Sequence, residues 1–383
     1  MAAAKRTESA PSGKAAAQRL LPLPEMSLQH HAATLDRPMT QWRETRRVPP
    51  VLLLIGPSGI GKRALCHYLA QWFLCENNGI QEAQALGLFR GDSQASDPPV
   101  SENPRPCGAC PACQRALSGN WVDFTEISSD TDGEETGTGT LKIEQFRRLK
   151  ETMGFGSFEG SFRLTLIRDA DRMTPQAANS LLKLLEEPPP GWIFLLTASD
   201  TSSLLPTLVS RCQVLRVRPY SVATLEAMLS NLDPPLSEEK RRTCAELAQG
   251  SWGRALALAE GEAWERRQEL MRFLEEPENQ LVAWIDWAAA EPSHFQLLLD
   301  QLEQALAELN RWSASSRSPE FRWSHRALES YSTQEIRRQG SESAAARFWI
   351  DRATRVFAAR GESLAPLNKK LLAQELLLPF CGK

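Results

Sequence analysis

The segment Val51-Leu-Leu-Leu-Ile55-Gly56-Pro-Ser-Gly-Ile-Gly-Lys62 constrains this chain more than any other feature. Its apolar run is too short for a buried helix and is delivered by Pro49-Pro50, so it reads as a strand covered on both faces. The glycine-rich turn that follows lets backbone N–H groups point at an anion, and Lys62 adds a mobile positive charge. Leu65, Leu69, Trp72 and Phe73 then recur at helical spacing, as in a helix packed on a sheet. Strand, glycine loop and helix open a nucleotide-binding α/β unit, with Gly56, Gly59, Gly61 and Lys62 as the candidate phosphate-binding residues. Further strand candidates at 122–127, 163–168, 192–197 and 213–217 alternate with helical or loop segments. They predict a parallel five-stranded sheet.

At 383 residues the chain is long enough for two to three domains. Residues 1–25, rich in Ala, Ser, Pro and Lys, read as a flexible leader. The α/β domain is expected over 26–218, interrupted by a loop insertion at 76–106 and a polar acidic loop at 128–140. A small helical domain is expected over 219–264, and a larger one over 265–383, where Trp349, Ala353, Val356 and Phe357 and then Leu367, Leu371, Leu372 and Leu376 keep helical spacing. A net charge of −3 argues against a simple DNA-coating protein. No apolar run approaches the roughly 18 residues of a membrane span, and the N-terminus has no signal-like apolar stretch. A cytoplasmic protein is expected.

Two positions weigh against ATP hydrolysis. Arg63 stands where a Ser or Thr hydroxyl would hold Mg²⁺, and arginine cannot ligate a cation. Arg168 stands at the end of the 163–168 strand, where an ATPase places a carboxylate, with Asp169 and Asp171 after it. The loop either binds a nucleotide without hydrolysing it or is a bare strand-to-helix turn. Cys107-Gly-Ala-Cys110-Pro-Ala-Cys113, with Cys75 as the nearest fourth thiol, fits a closed tetrahedral zinc site; an iron–sulfur cluster and free thiols are the other readings. Thr174-Pro175 starts an amphipathic helix that ends at Glu186-Glu187 before Pro188-Pro189-Pro190. Ser210-Arg211-Cys212 precedes the fifth strand, and its arginine is either a surface charge or a group that reaches a neighbour's γ-phosphate.

In that order, the phosphate loop, the cysteine cluster, the run from Asp169-Ala-Asp171 through Ala177-Ala-Asn179-Ser-Leu-Leu-Lys183-Leu-Leu-Glu186-Glu187-Pro188-Pro189, and Ser210-Arg211-Cys212 resemble the bacterial DNA polymerase III clamp loader, an AAA+ family. Within it the match is closest to the stator branch, which keeps the zinc module while its nucleotide site is degenerate. The resemblance covers about 28–258, and 368–378 resembles the family's last helix. The ATPase branch carries an arginine where this chain has Gly253, after Gly250-Ser251-Trp252.

The resemblance implies a RecA-like AAA+ domain with an inserted zinc module at 75–113, a helical lid at 219–264 and a helical collar at 265–383. It implies structural Zn²⁺ on Cys75, Cys107, Cys110 and Cys113, and Arg211 as a finger acting in trans on a gamma/tau ATPase. The implied partners are gamma/tau and delta, with the sliding clamp and primed DNA reached through the complex. Independent catalysis is not implied. An active gamma/tau-like motor is the rival reading. A nucleic-acid-binding zinc module is a weaker one, since Arg105 and Arg115 make a poor basic footprint.

Overall fold

The structure is a computed structural model that describes residues 25–45, 47–77, 105–128, 139–153, 162–232, 234–260, 262–275, 280–314, 326–362 and 369–381. Most of the leader, the insertion and the acidic loop lie outside the described residues. The chain divides into two compact units, one of residues 1–224 with 250–253 and the other of 225–249 with 254–383.

The first unit opens with α1 (Glu25–Thr45), which runs through Pro38. Leu35, Met39 and Trp42 recur on one buried face, and Trp42 stacks on Phe73, so packing outweighs the break a proline would otherwise impose. Then come β1 (Val51–Ile55), α2 (Lys62–Leu74), α3 (Pro111–Ser118), β2 (Phe124–Ile127), α4 (Ile143–Thr152), β3 (Arg163–Ile167), α5 (Pro175–Glu186), β4 (Trp192–Ala198), the single-turn α6 (Pro206–Val209) and β5 (Gln213–Arg216). The five strands are parallel in the order β2-β3-β4-β1-β5. With β1 flanked by β4 and β5 and entirely buried, its C-terminal end delivers the glycine loop to the carboxyl edge of the sheet, where α/β proteins hold ligands. The second strand begins two residues later than expected: Gly119 ends α3 in the left-handed conformation and Val122 stays exposed.

His31 of α1 is fully buried and lies 2.9 Å from the Tyr220 hydroxyl through Nε2. Burial, aided by neighbouring His30, depresses its pKa from 6.5 to about 4. A base with a lowered folded pKa leaves stability intact above its unfolded pKa and removes it as pH falls towards the folded value. The fold should therefore lose roughly 2 kcal/mol from this site between neutral pH and pH 5. Urea denaturation at pH 7.5 and pH 5 checks this, and His31→Gln should flatten the acid limb by that amount.

The second unit is helical and continues from Leu225 within the helix Val222–Leu229, then through Glu238–Leu247, Trp252–Ala259, Glu262–Glu275, Leu281–Ala290, Pro292–Ala314, Arg326–Gln339, Glu342–Glu362 and Lys369–Leu377. Its core joins Leu270, Phe273, Leu298, Leu302, Trp349 and Leu376. Trp349 and Val356 face this core as their spacing suggested, whereas Phe357 is 76% exposed: the turn of about 100° from one helical residue to the next carries it off the core-facing side. No helix among the described residues is long and apolar enough to cross a membrane.

Candidate functional site

Between β1 and α2, Gly59 and Gly61 take φ of 76° and 90°, left-handed values that let the chain turn sharply from strand to helix. Lys62 folds back into this turn, its Nζ donating to the carbonyls of Gly56 at 2.5 Å and Pro57 at 3.0 Å. Burial lowers its pKa, against the pull of Asp169 and Asp171.

Arg63 and Arg168, which occupy the two expected metal-site positions, converge on one carboxylate, that of Glu126 in β2. Arg63 Nε lies 2.8 Å from Oε1 and Arg168 Nη1 3.5 Å from the same oxygen, while fully buried His67 lies 3.1 Å from Oε2. Glu126 is only 8% exposed at its side chain. Burial pushes its pKa up, but the hydrogen bonds from His67 and Arg63 and the Arg63 charge outweigh that and hold it below the usual carboxylate range. Four side chains from α2, β2 and the end of β3 thus make one ion cluster beside the phosphate loop.

The segment Gly250–Gly253 closes on the same loop. Gly253 N donates to Gly59 O at 2.8 Å, and a Cβ at 253 would come 3.1 Å from Gly59 Cα. An arginine here, as in the ATPase branch, would push on backbone rather than on a yielding side chain.

The four cysteines named from sequence come together: the Sγ atoms of Cys75, Cys107, Cys110 and Cys113 all lie within 4.8 Å of one another. A tetrahedral zinc–thiolate site has sulfurs about 3.8 Å apart, so the donor set fits a metal such as zinc. Backbone N–H groups of Cys107, Cys110 and Cys113 point at the sulfurs of Cys75, Cys107 and Cys110 at 3.5, 3.3 and 3.4 Å, a pattern that favours thiolates. Cys75 is lowered to about 5, chiefly by the hydrogen bond from the Cys113 thiol, and Cys113 is raised in turn. Cys75 sits at the end of α2, and Cys110 caps α3.

Arg211 follows α6 and is 37% exposed at its side chain. It donates through Nη1 to Thr207 O at 2.8 Å and through Nη2 to Glu186 Oε1 at 2.9 Å. The structure therefore places the sequence-predicted residues in three groups: Gly56, Gly59, Gly61 and Lys62 at the loop, the cysteines at the end of α2, and Arg211 beyond α6. Sequence reasoning missed Glu126. The one signal was an acidic residue inside a strand pattern, Phe124-Thr-Glu-Ile127, in a chain with cations at 63 and 168.

Residues 93–221 match the family "DNA polymerase III, delta subunit". The chain is 28% identical over 227 residues to "DNA polymerase III subunit delta'" of Escherichia coli, covering 58% of each chain. It is 31% identical over 163 residues to the protein of that name from Haemophilus influenzae, covering 43% of this chain and 41% of the relative. It is also 27% identical over 218 residues to "DNA polymerase III subunit tau" of Escherichia coli, covering 56% of this chain and 29% of tau. The chain thus spans less than two thirds of each of these relatives. The parallel sheet, phosphate loop and helical remainder, taken with these matches, make this chain similar to the clamp-loader subunits of DNA polymerase III. Among clamp-loader subunits it is most like delta prime.

Proposed function

We propose that this chain is the stator, delta prime, of a DNA polymerase III clamp loader. It helps load the sliding clamp onto primed DNA, does not hydrolyse ATP itself, and presents Arg211 in trans to ATP on an adjacent gamma/tau subunit. The observation that carries this reading is that Arg63 and Arg168 both pair with Glu126, so the place of a Mg²⁺ ion is taken by an internal ion cluster. A catalytic site of this kind needs a metal to bridge and neutralise the transferring phosphate. The buried Lys62, tied to its own loop, supports the same view and leaves ATP binding as a role without hydrolysis.

The outward Arg211 supplies what a neighbour's site would lack, a fork of donors for charge developing on the γ-phosphate. In this reading Zn²⁺ is held by Cys75, Cys107, Cys110 and Cys113 as a closed structural site with no position for substrate. The helices of 219–264 form the lid, those of 265–383 the collar that meets gamma/tau and delta, and the complex works in a bacterial cytoplasm.

The test is ATP turnover by the complex reconstituted with gamma/tau and delta, in the presence of clamp and primed DNA. A principal arginine finger is worth roughly 10³ to 10⁵ in rate; with several sites in one complex, Arg211→Ala should reduce stimulated turnover at least about tenfold. Assembly, zinc content and melting temperature should stay unchanged. Full turnover by that variant, or Mg²⁺-dependent hydrolysis by the purified chain alone, would replace this reading with that of a motor subunit.

A further inference from the structure

We infer that Glu186 is a positioning residue for Arg211, aiming its guanidinium outward at the neighbour's nucleotide; the inference rests on the trans role proposed above. An unrestrained arginine has many rotamers open to it, so a finger that must meet a phosphate on another chain gains from being held beforehand.

The way it is held is specific. Ser210 Oγ and Arg211 Nη1 both donate to Thr207 O, at 3.1 and 2.8 Å, and Cys212 Sγ donates to Leu208 O at 3.1 Å. All three side chains of the Ser-Arg-Cys turn are thus tied to carbonyls of the single-turn α6. Glu186 supplies a tie from another element, through Nη2 at 2.9 Å. It is the last residue of α5, whose start is fixed by the Thr174 cap with Pro175 and whose inner face is fixed by buried Leu181, Leu184 and Leu185. The carboxylate and the Thr207 carbonyl together define the plane and direction of the guanidinium. Of its five N–H donors, these two bonds leave three for a ligand.

An ion pair whose side chains are 37% and 52% exposed contributes little to stability. A purely structural role for Glu186 would therefore show neither in melting nor in turnover, while a positioning role shows in turnover alone. In the reconstituted complex with primed DNA, clamp and ATP, Glu186→Ala should lower kcat roughly three- to tenfold with KM for ATP unchanged. Glu186→Gln, which keeps an acceptor oxygen at the same reach, should recover most of the loss. In an Arg211→Ala background, Glu186→Ala should have no further effect.

Unchanged or raised turnover in Glu186→Ala would overturn the inference and leave the stator reading standing. An equal loss in the Arg211→Ala background would also overturn it, because Glu186 would then act on something else. Full turnover in Arg211→Ala alone would remove the trans role itself, and the inference with it.

Discussion

Glu126→Ala is expected to destabilise the protein by about 3–4 kcal/mol, although the residue lies in no motif that drew attention in the sequence. Removing one partner from a buried ion cluster leaves the others desolvated and unpaired, a loss that typically runs to several kcal/mol. Here the carboxylate is nearly sealed, while Arg63 and Arg168 keep partial access to water at 28% and 26% exposure, which places the cost towards the lower end. Because Glu126 has a lowered folded pKa, its contribution is present above the unfolded carboxylate value and is lost as pH falls through the folded one. Denaturant midpoints of the wild type, Glu126→Ala and Glu126→Gln at neutral pH measure the effect. Glutamine should recover part of it by keeping the hydrogen bonds without the charge. A cost below about 1 kcal/mol for alanine would mean that the two arginines are solvated independently.

The second large effect concerns the cysteine site. Gentle purification should yield about one equivalent of zinc, and Cys110→Ser should weaken zinc binding at least 100-fold, since loss of a ligand exceeds the 10–100-fold cost of losing a group that merely orients one. Release should also follow acidification, because the sulfurs bind metal only as thiolates. Metal analysis and a colorimetric zinc-release titration decide the matter. Iron with a visible cluster absorbance, or less than about half an equivalent of zinc, would sink the assignment. The cost should fall on α3 and on the end of α2, where the cysteines are anchored, and not on the sheet.

The sheet was readable chiefly from β1 and β4, mostly apolar runs buried at every position that stand out against their flanks. The cysteine site was readable because thiol spacing is local and Cys75 lies one helix end away. What was not readable depends on neighbours distant in sequence. Glu126 meets Arg63 across 63 residues and Arg168 across 42, and nothing in their local patterns announces the meeting. The full length of α1 was hidden for a similar reason, since Pro38 marks a break that only Trp42 packing on Phe73 overrides. Arg211 could be picked out as a position but not in its setting, because Glu186 reaches it from a different helix.

The approach of Gly253 to Gly59 bears on how readily such a site could be restored. An Arg63→Thr substitution would leave Glu126 with one arginine fewer and Arg168 still paired to it. Reverting Arg168 alone to a carboxylate would set it against Glu126, one negative charge facing another. Restoring an arginine at 253 would move the backbone of the very turn it must serve by a few tenths of an ångström. Each single substitution is opposed by the residues still in place, so the three positions are coupled, and building a metal-dependent nucleotide site here would take changes at several of them together.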